Sequence, residues 1–469
     1  MKITLILAAH RQDPLLKRDP FMPLSLPILA SVAPEHDYTL IDMLWEPEKV
    51  NYDTDSEIIG ISMRQSAEAT AFELADEFTK RGKTVILGGA QASAMPLRAK
   101  EHARTVVVGE AEELWPILLK DYENKELKDF YVCSPVPFTA ENHTIYQQKE
   151  MPNLSNLPTP HRHLFKRKYT FDLTFASRGC PIACDFCMVS DIFGTKLRFK
   201  PIDDVVNDIK NFKNFYYILD DTVFGRANCY DYYIELYSKI AEIPNKKYWH
   251  GQANLDAAST EKGREVIKMA AKSGLIYAAV GLESVNTTTL KSSGAYNKMG
   301  INSKSDPLKQ MKDNIAFIQS QGIIISGWFA IGYETDSLQT YYDTLAFCKE
   351  TNIIPVFTPI RALPGSRLWN KMVAEGLVNS DPSALSNIEH PQLSPDMVLK
   401  GMNETAKKGF SASAHWERLK FYYKTFKKSE KNLNDVIYKL IFAQITQRKM
   451  GKIVKEENNH IAKEIGTNF

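Results

Sequence analysis

Three cysteines, Cys180, Cys184 and Cys187, stand within eight positions directly after a predicted strand at 172–176. This C-x3-C-x2-C spacing places three thiolates on one loop, where they can bind three irons of a [4Fe–4S] cluster and leave the fourth iron open. A closed zinc site or a ferredoxin-type electron carrier needs a fourth ligand at similar spacing, and the sequence supplies none nearby. The spacing therefore favours a cluster whose open iron binds another molecule.

The other cysteines do not extend this metal site. Cys133, Cys229 and Cys348 are scattered singly, which is typical of packed small side chains and argues against a second cluster. Six cysteines in 469 residues are also too few for a disulfide scaffold. We therefore expect one cluster, on one loop.

Composition narrows the class of protein. With 44% hydrophobic and 24% charged residues, the chain is neither disordered nor collagen-like, and its length predicts about three domains. A net charge of +2 gives no general attraction for nucleic acid, so we expect no nucleic-acid partner. The apolar stretch at 3–9 is far shorter than the roughly 20 residues of a spanning helix, and no signal-peptide pattern precedes it. These features predict a soluble cytoplasmic protein.

Strand and helix patterns alternate in the first 125 residues. Strands are predicted at 3–8, 38–43, 58–63, 84–87 and 105–108, with a helical pattern at 67–81. This order predicts a doubly wound, Rossmann-like parallel sheet, with ligands at the carboxyl ends of its strands. The loops at His10, Ser62, Gly88-Gly89 and Gly109-Glu110 should therefore face one site.

The rest of the chain divides into three parts. A polar, proline-bearing segment at 126–165 is predicted to be a linker. Six βα units follow at 166–370, with strands at 172–176, 216–220, 249–254, 277–282, 323–331 and 356–360, and they predict a partial (β/α)6 TIM barrel. Residues 371–469 lose the strand pattern and are predicted to form a helical C-terminal extension.

At the cysteine motif the sequence resembles the radical S-adenosylmethionine (SAM) superfamily, whose hallmark is this triad after the first barrel strand. The resemblance implies that the open iron chelates SAM and that a reduced cluster cleaves it to a 5′-deoxyadenosyl radical. Polar or glycine residues at the ends of the later strands match the superfamily in order. By resemblance, the SAM-binding residues are Phe186 beside the adenine, Asp220, Asp221, Gln252, Asn254, Glu283 and Gly332.

The N-terminal domain looks like the cobalamin-binding domain of cobalamin-dependent radical SAM enzymes, although some relatives keep this domain as a scaffold. The sequence lacks the Asp-x-His-x-x-Gly motif that supplies an axial histidine elsewhere: residue 8 is alanine, and His10 only approximates the position. Many radical members of the family share this absence. The resemblance implies that cobalamin contacts Ser62, Met63, Gly88, Gly89, Ala90, Gly109 and Glu110.

With both cofactors, the resemblance implies methylation of an unactivated carbon in a small-molecule, lipid or peptide substrate, with flavodoxin or ferredoxin as electron donor. A non-methylating radical enzyme, such as an oxidative cyclase, a ring-contracting enzyme or a carbon–carbon coupling enzyme, remains an alternative. An iron–sulfur binding or electron-transfer module is a third interpretation. Methyl transfer yields S-adenosylhomocysteine together with 5′-deoxyadenosine, whereas the second interpretation yields only the latter and the third yields neither.

The tail is basic and aromatic. Residues 418–455 contain eleven Lys or Arg and two acidic residues, a local charge of +9. This is typical of a solvated helical face, or of a surface that makes peripheral contact with an acidic or membrane-borne partner. Residues 363–368 and 401–418 are similar to the extension of relatives that include hopanoid methylases, which makes a lipid or bulky apolar substrate one hypothesis beside peptides and natural products.

Overall fold

The structure is a computed structural model that describes residues 1–10, 20–301, 306–378 and 388–464. Segments 379–387 and 465–469 of the predicted C-terminal extension lie outside the described residues. The described part contains two parallel sheets and a helical C-terminal region, so the predicted α/β fold class is confirmed.

The N-terminal sheet is parallel throughout, in the order β2-β1-β3-β4-β5-β6-β7. Its first five strands confirm the sequence prediction, and two more arise from the segment expected to be a linker. Its strands are β1 (Lys2–Leu7), β2 (Asp37–Asp42), β3 (Ile58–Ser62), β4 (Thr84–Gly88), β5 (Thr105–Gly109), β6 (Phe130–Cys133) and β7 (Ile145–Gln147). Its helices are α1 (Ser25–Val32), α2 (Glu68–Lys80), α3 (Ala90–Ala94), α4 (Pro96–Lys100) and α5 (Leu114–Glu123).

The second sheet is the predicted partial barrel, parallel in the order β15-β14-β13-β12-β11-β8, while β9 and β10 form a short antiparallel pair beside the cysteine loop. Its strands are β8 (Asp172–Thr174), β9 (Ser177–Arg178), β10 (Arg198–Phe199), β11 (Phe215–Ile218), β12 (Tyr248–Ala253), β13 (Leu275–Glu283), β14 (Ile324–Ile331) and β15 (Ile354–Pro359). Its helices are α6 (Val189–Phe193), α7 (Ile202–Lys210), α8 (Tyr230–Ala241), α9 (Glu261–Lys272), α10 (Thr287–Ser292), α11 (Pro307–Ser320), α12 (Leu338–Glu350) and α13 (Arg367–Ala374).

Alternation along the barrel strands separates an outer face, covered by helices, from an inner face. On β12, Trp249 packs outward, with its ring 5.2 Å from that of Tyr237 on α8. The next residue, His250, points the other way and stacks on Tyr217 of β11 at 4.4 Å. Residues that follow the parity of His250 therefore line the inside of the barrel.

Three long helices complete the chain: α14 (Pro395–Gly409), α15 (Ala412–Ser429) and α16 (Leu433–Glu464). Serine side chains begin two of them, because Ser394 Oγ accepts from Met397 N–H and Ser411 Oγ accepts from Ala414 N–H. In the described part of the chain, none of the helices has the length and apolar character needed to cross a lipid bilayer.

Candidate active site

The cysteine loop is held in one conformation by its backbone. Gly179 takes a φ of +100°, and a Cβ there would lie 2.4 Å from the Lys196 carbonyl oxygen, so only glycine fits. Cys180 N–H donates to the carbonyl of Gly194 at 3.0 Å, and Cys187 N–H donates to that of Cys184 at 3.2 Å. These constraints bring the three predicted cluster ligands together on one turn.

Of the three cysteines, Cys184 is buried and Cys180 and Cys187 are half-buried, and their thiols interact electrostatically with one another. Burial raises the pKa of Cys184 to about 11 and that of Cys187 to about 12. Burial also raises the pKa of Cys180, although backbone N–H groups of Ile182 and Ala183 oppose this by stabilising its thiolate. Thiolates in such a place need a positively charged partner.

Three thiolates on one loop are a donor set that suits an iron–sulfur cluster. Among the described residues, no three His, Cys, Asp or Glu side chains converge on one metal ion. A [4Fe–4S] cluster instead takes each thiolate on a different iron, and backbone N–H donors to sulfur are a usual part of its environment. The chemistry of the donor set therefore agrees with the predicted cluster.

Asp220 supports the start of this loop from the outer face of the barrel. Its fully buried carboxylate accepts from the backbone N–H groups of Ala176 (2.7 Å) and Ser177 (3.1 Å). It also accepts from the hydroxyls of Ser177 (3.0 Å) and Tyr233 (2.8 Å). Because these four donors occupy the carboxylate, the geometry gives Asp220 a positioning role, in contrast with the predicted contact to SAM.

Asp221 points to the opposite side, where it lines a cavity between the two sheets. Burial, followed by the charge of Asp220, raises its pKa to about 7, although Arg178 opposes the shift. A carboxylate that is costly to ionise without a partner is suited to bind a cationic group. Of the two adjacent aspartates, Asp221 is the one that faces the cavity.

The raised pKa of Asp221 predicts a pH-dependent stability effect. The folded state holds this proton more tightly than the unfolded chain, so the contribution of Asp221 to stability falls as pH rises from about 4 to about 7 and then levels off. Asp221→Asn removes this cost, and we expect the cofactor-free variant to be more stable by roughly 2–4 kcal/mol above pH 7, with no difference near pH 4. Thermal melts across this pH range measure it. Asp231→Asn, on the surface, is the control, and a pH-independent gain for Asp221→Asn would contradict the prediction.

Glu283, at the end of β13, forms a buried ion pair with Lys298. Burial acts to lower the pKa of Lys298, but Glu283 and the thiols of Cys184 and Cys187 outweigh it, so the pKa is raised. Lys298 Nζ also lies 6.0 Å from the ring centre of Phe186, the residue predicted to lie beside adenine. Glu283 and Phe186 thus lie close to the cysteine loop, next to the buried ammonium of Lys298. No role for Lys298 was predicted from the sequence.

The remaining predicted SAM residues lie at the carboxyl ends of β12 and β14. Gln252 is exposed on the inner face of β12, and Asn254 Nδ2 is buried without a hydrogen-bond acceptor in the described part of the chain. Gly332 follows β14 with a φ of +125°, and its N–H donates to Asp336 at 2.9 Å. The Asn254 amide therefore has a donor available to a polar group at this strand end.

The cavity beside Asp221 has a volume of about 440 Å³ and is walled by the carboxyl ends of strands from both sheets. Six of the seven predicted cobalamin residues line it. Met63 does not; its backbone N–H donates to the Gly88 carbonyl at 2.9 Å instead. No histidine is found among the described lining residues. The predicted residues in the wall are Ser62, Gly88, Gly89, Ala90, Gly109 and Glu110, and the barrel contributes Phe175, Ser177, Arg178, Leu219 and Asp221.

The three glycines that line this cavity differ in whether the position could accept a side chain. At Gly89 (φ +93°) an added Cβ would meet the Met63 backbone at 2.8 Å, and at Gly109 (φ +84°) it would meet the Cys133 carbonyl oxygen. At Gly88 the nearest atoms are those of Val107 at 3.8 Å, an ordinary contact. Gly88 therefore leaves open space in the cavity. Gly89 and Gly109 are required by their positive φ and by the nearby backbone.

A buried ionic cluster joins the two domains next to the cysteines. Arg178, two residues before Cys180, pairs with Glu110 and Glu112, each at 2.5 Å. Arg198 also binds Glu110. The carboxylate of Glu110, which was predicted to contact cobalamin, thus forms ion pairs with two arginines of the barrel domain. These partners lie far apart in sequence, so no local signal pointed to them.

The inner face of the barrel exposes two large apolar side chains beside its polar residues. Trp328 on β14 and Leu219, next to β11, are 37% and 39% exposed although they belong to interior strands. Deeper inside, burial lowers the pKa of His250 to about 3, so this ring is neutral. The space next to the cofactor residues therefore suits an apolar ligand.

Both the sequence and the fold have relatives among known proteins. Residues 175–348 match the radical SAM superfamily. The bacteriochlorophyllide d C-8(2)-methyltransferase of Chlorobaculum tepidum is 27% identical over 427 residues, which cover 87% of this chain and 84% of the relative.

Two solved structures share the fold. The cobalamin-dependent radical SAM enzyme OxsB, with aqua-cobalamin bound, superposes with a TM-score of 0.67 at 16% identity, covering 97% of this chain and 72% of OxsB. The radical SAM methyltransferase TsrM from Kitasatospora setae, with cobalamin and a [4Fe–4S] cluster bound, gives 0.62 at 13% identity, covering 81% and 76%. The chain therefore contains a radical SAM domain, has sequence relatives named as methyltransferases, and shares its fold with cobalamin-dependent radical SAM enzymes.

Proposed function

We propose that this enzyme uses SAM, a [4Fe–4S] cluster and cobalamin to methylate an unactivated carbon of an apolar small molecule. The observation that carries the proposal is the cavity shared by the two domains. Ser62 and Gly88 from the N-terminal sheet and Asp221 from the barrel line the same space, and Asp221 is close enough to the cysteine loop to affect the pKa of Cys180 and Cys187. A cobalamin in the cavity would therefore adjoin SAM at the cluster.

Different residues of the chain would bind the cluster and SAM. When bound, the cluster supplies the electron that cleaves SAM and the corrinoid supplies the methyl group. Cys180, Cys184 and Cys187 hold the cluster, and Asp220 fixes the strand end that leads to them. Phe186, Asn254, Glu283 and Gly332 surround SAM in this proposal, with Asp221 towards its positively charged portion.

Cobalamin would rest on the carboxyl edge of the N-terminal sheet. None of the described lining residues is a histidine, so none of them would offer an imidazole to the cobalt. Gly88 provides room for the corrinoid, and the apolar side chains of the wall exclude water from it. Glu110 acts indirectly, since it holds the barrel domain against this edge.

The substrate proposal rests on the inner face of the barrel. The exposed Trp328 and Leu219 and the neutral His250 favour a bulky, apolar molecule over a highly charged one. A relative that covers most of the chain is named for a bacteriochlorophyllide, which agrees with a large apolar substrate. The external electron would come from reduced flavodoxin or ferredoxin.

Metal analysis of anaerobically purified enzyme tests the proposal. Cells supplied with cobalamin should yield about one cobalt and about four irons per chain. With reductant and SAM, we expect both 5′-deoxyadenosine and S-adenosylhomocysteine, together with a substrate heavier by one methylene. Four irons without cobalt after reconstitution, or 5′-deoxyadenosine without S-adenosylhomocysteine once a substrate is found, would favour a non-methylating radical enzyme.

A further inference from the structure

The helices α15 and α16 form a hairpin at the end of the barrel opposite the cysteines. Tyr422 and Phe426 of α15, with Val436 and Ala443 of α16, pack on the first residues of the barrel strands. Tyr248 Oη donates to Asp435 at 2.9 Å, which fastens the hairpin to β12. The hairpin is therefore a firm part of the barrel, with one face buried and the other facing out.

The outer face carries an unusual amount of exposed apolar surface. Residues of α16 spaced by four fall on one side of the helix, and two aromatic residues of α15 lie beside them. The six side chains are between 47% and 68% exposed, and an apolar groove of about 460 Å³ runs between the helices. A surface of this kind marks an interaction site. We call it the apolar stripe; it consists of Leu433, Ile437, Ile441, Ile445, Trp416 and Tyr423.

Exposed cations surround the apolar stripe. Lys420 Nζ lies 5.4 Å from the centre of the Trp416 ring, at the edge of the groove. Among the described residues, Lys424, Lys427 and Lys428 pair with no carboxylate, so their charge is available to a partner. We call this set the basic rim; its residues are Lys420, Lys424, Lys427, Lys428, Arg448, Lys449 and Lys452.

We propose that the outer face of the hairpin docks on an anionic lipid bilayer. Apolar side chains flanked by lysines are the pattern of interfacial helices, in which the stripe enters the acyl boundary and the cations meet lipid phosphates. Trp416 and Tyr423 suit that boundary because their rings are amphipathic, and lysine stems can extend to the headgroups. A second copy of this chain is a poorer occupant, because pairing two such faces brings two basic rims together.

This docking would fix the orientation of the enzyme. The hairpin covers the amino ends of the barrel strands, whereas the cysteines and the cavity lie at the carboxyl ends. A molecule bound through the hairpin therefore keeps its active site directed away from the bilayer surface. The inference does not depend on methyl transfer, since no residue of the hairpin belongs to the proposed site.

Vesicle sedimentation with the full-length holoenzyme tests the proposal. The probes are vesicles of phosphatidylcholine alone and vesicles that also contain phosphatidylglycerol. We expect binding at least about ten-fold tighter to the anionic vesicles, weakened by high salt. Replacing Lys424, Lys427 and Lys428 by Gln should weaken anionic binding roughly ten- to hundred-fold, and Ile441→Ser with Ile445→Ser should weaken it at least about ten-fold.

Matched controls keep the result interpretable. Leu97→Ser with Val373→Ser removes two other exposed apolar side chains and should leave vesicle binding unchanged. Because the altered positions are exposed, each variant should retain the thermal stability and SAM cleavage of the wild type. The proposal is overturned by equal binding to neutral and anionic vesicles, by no binding to either, or by a dimer in light scattering that Ile441→Ser with Ile445→Ser dissociates.

Discussion

Cys184→Ala should abolish SAM cleavage, lowering 5′-deoxyadenosine formation at least about 1,000-fold. The variant removes one of three thiolates on a loop that has no fourth cysteine, so the cluster loses a ligand that nothing nearby replaces. We expect iron to fall well below four per chain and the charge-transfer absorbance of the cluster to disappear. Product analysis by mass spectrometry, under excess reductant and SAM, measures the effect.

Cys348→Ala is the matched control for this experiment. Cys348 is also a buried free cysteine, but it lies on α12 and away from the loop, so its loss should cost only a modest amount of stability. Iron content and SAM cleavage should remain those of the wild type. Substantial 5′-deoxyadenosine formation by Cys184→Ala would show that the cluster assignment is wrong.

The second large effect concerns the cavity between the domains. Gly88→Phe should remove cobalamin while leaving the cluster in place. A Cβ at Gly88 meets only Val107 at ordinary distance, so the backbone tolerates a side chain, and the ring fills space that the corrinoid would need. We expect iron and uncoupled SAM cleavage to persist, but cobalt and S-adenosylhomocysteine formation to be lost.

Gly88→Ala provides the control, since it adds only the tolerated Cβ. Cobalt per chain, measured beside iron in the same sample, should match the wild type for Gly88→Ala and fall for Gly88→Phe. If Gly88→Phe keeps its cobalt, cobalamin does not occupy this cavity. If both variants lose iron as well, the substitution has disturbed the fold, and the comparison of ultraviolet circular dichroism spectra and thermal melts would show it.

Much of the fold follows from local sequence patterns. The strand at 58–63 was predicted almost to its observed bounds, Ile58–Ser62, because a short apolar run between polar segments is typical of a buried parallel strand. The strands Phe130–Cys133 and Ile145–Gln147 were missed because they are short and lie among prolines and polar residues. Their pairing with the sheet edge is a tertiary effect that the local pattern does not contain.

The site was predicted less completely than the fold. The cysteine spacing is local, so the proposed cluster ligands could be named from sequence. Asp220 and Asp221 are adjacent, and they differ because their side chains point in opposite directions at the end of the strand. Asp220 supports the cysteine loop, whereas Asp221 faces the cavity. The alternation of side chains along β11 could have predicted this difference. Lys298 and the partners of Glu110 are brought in by long-range folding, and no spacing rule marks them.

The ionic cluster of Arg178, Arg198, Glu110 and Glu112 sets a condition on how such enzymes could be recombined. Two carboxylates come from one domain and two guanidinium groups from the other, and all are largely buried. A chimera that exchanged one domain with a relative lacking the matching charges would bury unpaired ions, at a cost of about 3–5 kcal/mol for each broken pair. The two domains are therefore interchangeable only as a charge-matched pair, and a graft made to change cofactor or substrate must transplant both sides of this contact.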